Sequence, residues 1–310
     1  MLISNNMKKI LFTFVFVCFV LYACFNPGIV IEASKSGILI WFQQILPALL
    51  PFTIMSSVLL KSHLLDNFHG NSNIIAIIIT MICGFVFGFP IGAKLSSDFY
   101  KNKMLTENQA YVLAIMTNIF SPMYVCGFAL PFLFSTNHYN TVTYVILYLL
   151  PLILVAIYLI VTYKSECYKL HLVTRQTSSN FTLNIQLLDE SIINGFLALI
   201  KICGYIVFFS ILSHVFINLW VNPPIIFDFF VKNLEISNGI SLISQDRYLE
   251  SSKYVYAIQL LSFGGLSGIA QTASVLESSG LSTYKYIIGK VILSLFLTLL
   301  SVIYVSCFIH

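Results

Sequence analysis

The chain has 310 residues, 58% of them hydrophobic and only 9% charged, with a mean hydropathy of +0.90 and a formal net charge of +4. Such a composition excludes a soluble globular domain and defines a polytopic membrane protein. The small positive excess is spread over the segments between apolar runs, so it bears on membrane orientation and forms no nucleic-acid patch. The seven cysteines include no Cys-x-x-Cys pair, and the six histidines show no ligand spacing along a helix face; neither a disulfide framework nor a metal site is expected.

Lys8 and Lys9 precede an apolar run from Ile10 to Phe25. A signal peptide, or a lipoprotein signal ending at Leu21-Tyr22-Ala23-Cys24, would begin in the same way. The bulky Tyr22 and the basic flank favour a retained helix, residues 1–28, with its N-terminus in the cytoplasm and its end at Asn26-Pro27-Gly28 outside. A second crossing is expected from Gly37 to Leu60, kinked by Pro47 and Pro51. Asn73 to Phe89 is apolar and runs into Gly88-Phe89-Pro90-Ile91-Gly92-Ala93-Lys94, where a proline without an N–H and two permissive glycines open the helical ladder. Charges on both flanks make this a hairpin entering and leaving from the cytoplasmic side. Thr106-Glu107-Asn108-Gln109 reads as the capping box of a helix that breaks again at Thr117-Asn118-Ile119-Phe120-Ser121-Pro122. Tyr144 to Tyr163 returns to the cytoplasm, and a polar linker, 165–189, follows.

The second half begins with a crossing from Ile192 to about Trp220. Ile225 to Ile236 and the polar residues after Glu235-Ile236-Ser237-Asn238-Gly239 suggest a second hairpin, this time from outside, on which Asp228 and Lys232 are spaced to pair. Tyr254 starts a helix that breaks at Ser262-Phe263-Gly264-Gly265-Leu266-Ser267-Gly268 and resumes through Gln271. Tyr286 to Phe308 is the last crossing. Both halves, 29–164 and 190–310, therefore read crossing helix, re-entrant hairpin, broken helix, crossing helix. Gly88 to Asn118 is 30 positions, and Glu235 to Gly264 is 29. The fold class expected is all-α: inverted-topology repeats with about seven transmembrane helices, two re-entrant hairpins and broken helices. Secondary carriers have this pattern, with their breaks meeting near the membrane midplane.

Freed N–H and C=O groups in hydrocarbon must find protein, water or ligand. The candidate solute-contacting residues are accordingly Gly88, Phe89, Pro90, Gly92 and Lys94 in the first hairpin; Asn118, Ser121 and Pro122 in the first broken helix; Glu235, Ser237, Asn238 and Gly239 in the second hairpin; and Phe263, Gly264, Gly265, Ser267 and Gln271 in the second broken helix. The glycines also suit plain helix packing. Glu235 offers a seat for a coupling ion or proton, or else stands as an interfacial carboxylate. Lys94 offers attraction for an anion, or else an ordinary flanking charge.

Leu46-Pro47-Ala48-Leu49-Leu50-Pro51-Phe52, the Gly88 to Lys94 stretch, Asn118 with Ser121-Pro122, Leu234-Glu235-Ile236 with Gly239, and Phe263 to Ser267 with Gln271 resemble the sporulation integral membrane protein YlbJ family. The resemblance covers roughly residues 30 to 305. That family belongs to the Gate, or nucleoside-recognition, group, which is similar to concentrative nucleoside transporters and to the membrane part of ferrous iron transporter B. The sequence departs from its pattern at Ile119-Phe120 and Gly268-Ile269.

The resemblance implies a multi-pass protein of the bacterial cell membrane or forespore membrane, serving endospore formation, and a small polar, anionic solute with dipicolinic acid as first choice. A nucleoside carrier and a structural or assembly protein of the spore membrane are the other expectations. Gly265-Leu266-Ser267-Gly268 also matches the Gly-x-Ser-Gly of rhomboid proteases. A serine nucleophile needs a histidine base, and the histidine that follows it in sequence is His310, so no enzyme is expected. No cofactor is expected beyond a coupling proton or Na+. The expected partners are the lipid bilayer and a small-molecule solute, with a homo-oligomer compatible and no nucleic acid.

Overall fold

The computed structural model describes residues 19–62, 72–135, 137–171, 184–220 and 223–308, with Thr13 and Val17, and these residues are almost wholly helical. In chain order the helices are α1 (Pro27–Ile40), α2 (Leu46–Lys61), α3 (Ser72–Phe87), α4 (Ile91–Lys101), α5 (Glu107–Met116), α6 (Pro122–Tyr124), α7 (Leu130–Leu133), α8 (Asn140–Tyr144) and α9 (Leu150–His171). They continue with α10 (Ile185–Leu219), α11 (Ile225–Lys232), α12 (Ile236–Gln245), α13 (Glu250–Phe263), α14 (Gly265–Glu277) and α15 (Thr283–Phe308).

Three junctions, α1 to α2, α6 to α7 and α8 to α9, are wide π turns at Trp41–Ile45, Val125–Ala129 and Val145–Leu149. Each is followed by Leu-Pro, at Pro47, Pro131 and Pro151. A proline removes the N–H owed to the carbonyl four residues back and its ring crowds that carbonyl. The wider turn relieves the clash, and the chain re-pairs at a spacing of five, as from Leu46 N to Trp41 O and from Leu130 N to Val125 O. The rods therefore continue through their prolines.

Among the described residues three helical stretches are long and apolar enough to cross a membrane singly: Asn140–Thr162, Ile185–Leu219 and Thr283–Phe308. Their outer faces carry large exposed apolar side chains such as Ile160, Val161, Ile193, Leu295 and Leu299. In a bilayer these faces meet lipid. Asn73–Phe87 and Pro122–Leu133 are shorter apolar helices. The protein is an all-α polytopic membrane protein.

The two halves repeat one order. The rod α1–α2 corresponds to α10, the pair α3–α4 to α11–α12, the broken helix α5 to α7 to α13–α14, and α8–α9 to α15. Contacts are reciprocal: α4 of the first half packs on α14, and α12 of the second half packs on α7. The rods α1 and α2 lie along α10, while α15 runs against both α5 and α13. Buried cores fill both regions, one around Leu95, Phe99, Leu113 and Tyr286, the other around Leu130, Ile240, Tyr254 and Leu297.

The structure corrects several expected boundaries. The outer turn expected at Asn26-Pro27-Gly28 is a kink: residues 19–25 are helical, Asn26 N donates to Tyr22 O at 2.9 Å, and α1 begins at once with Pro27. Proline suits a first helical position because its missing N–H would be unpaired there anyway. The crossing expected from Gly37 thus begins ten positions earlier. The crossings expected from Tyr144, Ile192 and Tyr286 start at Asn140, Ile185 and Thr283. For α10 the reason is Asn184, whose side chain accepts from Leu187 N at 2.8 Å and caps the helix in polar sequence. The expected capping box at Thr106 and Gln109 is present. Lys8, Lys9 and residues 172–183 of the linker lie outside the described residues.

Candidate functional site

Four chain interruptions meet between the halves. In the first hairpin, α3 ends at Phe87 and Gly88 takes φ +68°, a left-handed angle that glycine adopts without strain. Phe89 N then donates to Ile119 O of the first broken helix at 2.8 Å, and a Cβ on Gly88 would come within 2.3 Å of Ser121 N. Only glycine fits so close to another backbone. In the second half the direction is reversed: Leu266 N and Ser267 N, past the Gly264 break, donate to Asn233 O and Leu234 O of the second hairpin at 2.7 and 2.9 Å. Each hairpin tip thus supplies the backbone partners that its neighbouring helix break would otherwise lack.

A cavity of about 460 Å³ opens at this junction. Its walls come from both halves: Phe89 and Pro90 from the first hairpin, Phe120, Ser121, Tyr124 and Phe128 from the first broken helix, Glu235 and Ser237 from the second hairpin, and Gly264, Ser267, Gly268 and Gln271 from the second broken helix. Gln43, Pro47, Ile202 and Ile206 close it from the rods α1–α2 and α10. One wall is aromatic, since Phe89 and Phe120 stack with centroids 5.4 Å apart and Tyr124 and Phe128 follow at 5.0 and 5.3 Å from their predecessors.

The opposite pole is polar. Glu235, 5% exposed, caps α12, its Oε2 accepting from Asn238 N at 2.9 Å. A carboxylate at a helix N-terminus is favoured by the orphan amides and the helix dipole. Tyr124 OH and Ser237 Oγ are 3.0 Å apart and bridge the halves. Gln271, 6% exposed, donates through Nε2 to Ser267 Oγ at 3.1 Å, and its Oε1 has no partner among the described residues. A buried amide oxygen without a donor is a cost that a ligand hydrogen bond removes.

Of the residues singled out from sequence, Phe89, Pro90, Ser121, Glu235, Ser237, Gly264, Ser267 and Gln271 line this cavity. Others lie close behind the walls. Gly88 and Gly92 pack against the first break, where a Cβ on Gly92 would come within 2.4 Å of Thr117 Oγ1. Gly239 is in the first turn of α12, against Lys232 O, and Gly265 lies against Asn233 and Ile236. Asn238 Nδ2 reaches Ser210 Oγ on α10 at 2.8 Å. Asn118 is 1% exposed and donates to Thr272 Oγ1 and Tyr286 OH at 3.1 and 2.8 Å. Pro122 opens α6, capped by Ser121, and Phe263 ends α13. Lys94 does not line the cavity; its ammonium is 3.4 Å from Asp98 on the same helix.

Sequence reading missed Tyr124, Phe128, Gln43 and Lys290. The first three belong to apolar or π-turn stretches whose inward face depends on which helix lies opposite. Lys290 had a signal, a lone charge within the last apolar run, which marks function or pairing in a membrane helix. The Asp228 and Lys232 pair exists, and Asp246 joins it at 2.9 Å.

Two hairpins and two broken helices meeting at a cavity, on a frame of lipid-facing rods, define an integral multi-pass membrane protein. Over 113 residues the chain is 29% identical to the sporulation integral membrane protein YlbJ of Bacillus subtilis (strain 168), a match that covers 33% of this chain and 27% of that protein. The chain is a distant homologue of that protein, matched over little more than a quarter of its length. No family model matches the chain, and no solved structure does.

Proposed function

We propose that the protein is a carrier that moves a small polar solute across a membrane by alternating access, with the cavity between its halves as the solute site. The observation that carries this reading is the cavity of about 460 Å³ where breaks from both halves converge, with the polar residues Glu235, Ser237, Ser267 and Gln271 in its lining. Packing alone would have favoured apolar side chains there. The stacked Phe89 and Phe120 wall suits a flat ring. The relative's name connects the setting to sporulation, so dipicolinate, a flat pyridine bearing two carboxylates, is the first solute to try and a nucleoside the second. Because Glu235 faces the same cavity, a dianion would bind there with a proton or cation beside it. We place the protein outside the enzymes: Ser267 pairs with Gln271, and His214 bonds to Ser210 O on α10.

The test is binding of labelled dipicolinate and uridine to purified protein, native and Gln271→Ala. Saturable binding of one of them, weakened about tenfold or more in the variant, is expected for a lost buried hydrogen bond. Equal binding by both proteins would reject the site, and no binding of either would favour a structural or assembly role in the spore membrane.

A further inference from the structure

The cavity leaves one buried charge unused. Lys290, two turns into α15, is 0% exposed, and among the described residues no carboxylate pairs with it. Its ammonium instead donates to Asn118 O at 2.9 Å. Sequence explains why that carbonyl is free. Four residues beyond Asn118 stands Pro122, which has no N–H to give, and α5 has already ended at Met116. A helix C-terminus carries partial negative charge, so a cation is the favoured partner for a carbonyl orphaned there.

More oxygen collects at the same residue. The Asn118 amide nitrogen is spent on Thr272 Oγ1 and Tyr286 OH, and its Oδ1 has no partner among the described residues. The two hydroxyls are taken by that nitrogen and the ammonium bonds to the carbonyl, and carbonyl and amide oxygens are hard donors of the kind that hold a cation. Unwound carbonyls of this kind hold the coupling ion in broken-helix carriers. We infer that the Lys290 ammonium is a tethered substitute for that ion, a cation carried by the chain itself and seated at the first helix break. The inference rests on the carrier reading. It divides the two breaks by charge: the first is closed by a fixed cation, and the second keeps Glu235 at the cavity, so any coupling cation or proton binds on the Glu235 side. Lys290 does not line the cavity and its ammonium is directed at a carbonyl, which makes it a positioning residue and not a seat for an anionic solute.

Thermal unfolding of the purified full-length protein in NaCl, KCl and choline chloride at equal ionic strength tests this without any solute. Native protein and Lys290→Arg should respond alike to the three salts, and Glu235→Gln should remove any cation effect they show. Lys290→Met should melt lower in choline and recover saturably in NaCl or KCl, because the vacated oxygens then accept a free cation. Insensitivity of Lys290→Met to the choice of cation would overturn the inference. Should that variant not accumulate, the native protein decides: a saturable Na+ or K+ effect that survives in Glu235→Gln overturns the inference, whereas identical midpoints, or an effect that Glu235→Gln removes, support it. Failure of solute binding leaves these melts unchanged, so the two readings fail separately.

Discussion

Gly88 and Gly264 both take left-handed angles, φ +68° and +95°, yet their surroundings differ. A Cβ on Gly88 would meet Ser121 N, Ile119 O and Phe120 C within 2.8 Å, whereas one on Gly264 would meet nothing within 4 Å. Gly264→Ala should therefore cost only the backbone strain, about 1–2 kcal/mol, and Gly88→Ala about 3 kcal/mol or more through collision with a backbone that cannot step aside. Unfolding midpoints and yields of monodisperse protein should fall in that order; equal losses would mean that conformation, not close approach, is what Gly88 supplies. Glu235 has two roles that substitution separates. Glu235→Gln keeps an oxygen for Asn238 N and should leave stability near native while altering solute or ion dependence. Glu235→Ala removes the cap as well, at about 1 kcal/mol. A Gln variant as unstable as the Ala variant would show that charge, not capping, holds α12.

At the scale of elements, the second hairpin is latched. Lys232 is 2% exposed, pairs with Asp228 and Asp246, and lies over the rings of Tyr248 and Tyr256 at 5.7 and 5.6 Å. This ties α11 to the segment between α12 and α13. Lys232→Met leaves two partly buried carboxylates without their cation, and a loss of about 3 kcal/mol is expected. Adding Asp228→Asn and Asp246→Asn should recover part of it, and no recovery would refute the electrostatic account of the latch. The breaks that create the hairpins were legible in sequence because glycine and proline act locally, through an absent Cβ or an absent N–H. Helix ends were less legible: the Asn184 cap and the Pro27 start lie in stretches that read as polar linker and turn. The wide turns before Pro47, Pro131 and Pro151 were read at most as kinks, since a proline does not announce whether the ladder bends or re-pairs at a longer spacing.

For the whole molecule, the order of elements could be read from one chain, because two matched series of breaks need no knowledge of packing. Which faces turn inward could not. Tyr124 and Gln43 reach the cavity only because α12 and α10 lie opposite, and Lys290 acquires its partner from a helix break 172 positions away in sequence. The halves are joined where Ser97 of α4 meets Ser279, just past α14, with their Oγ atoms 2.8 Å apart. A carrier must change the relation between its halves in each cycle, whereas a structural protein need not. The most direct measurement is therefore counterflow uptake of labelled dipicolinate and uridine into liposomes by Ser97→Cys with Ser279→Cys, in a background freed of its seven native cysteines. Saturable uptake of one solute under reducing conditions, lost on oxidation and regained on reduction, is the predicted result. Uptake unchanged by the cross-link, or no uptake of either solute in the reduced protein, would contradict the account.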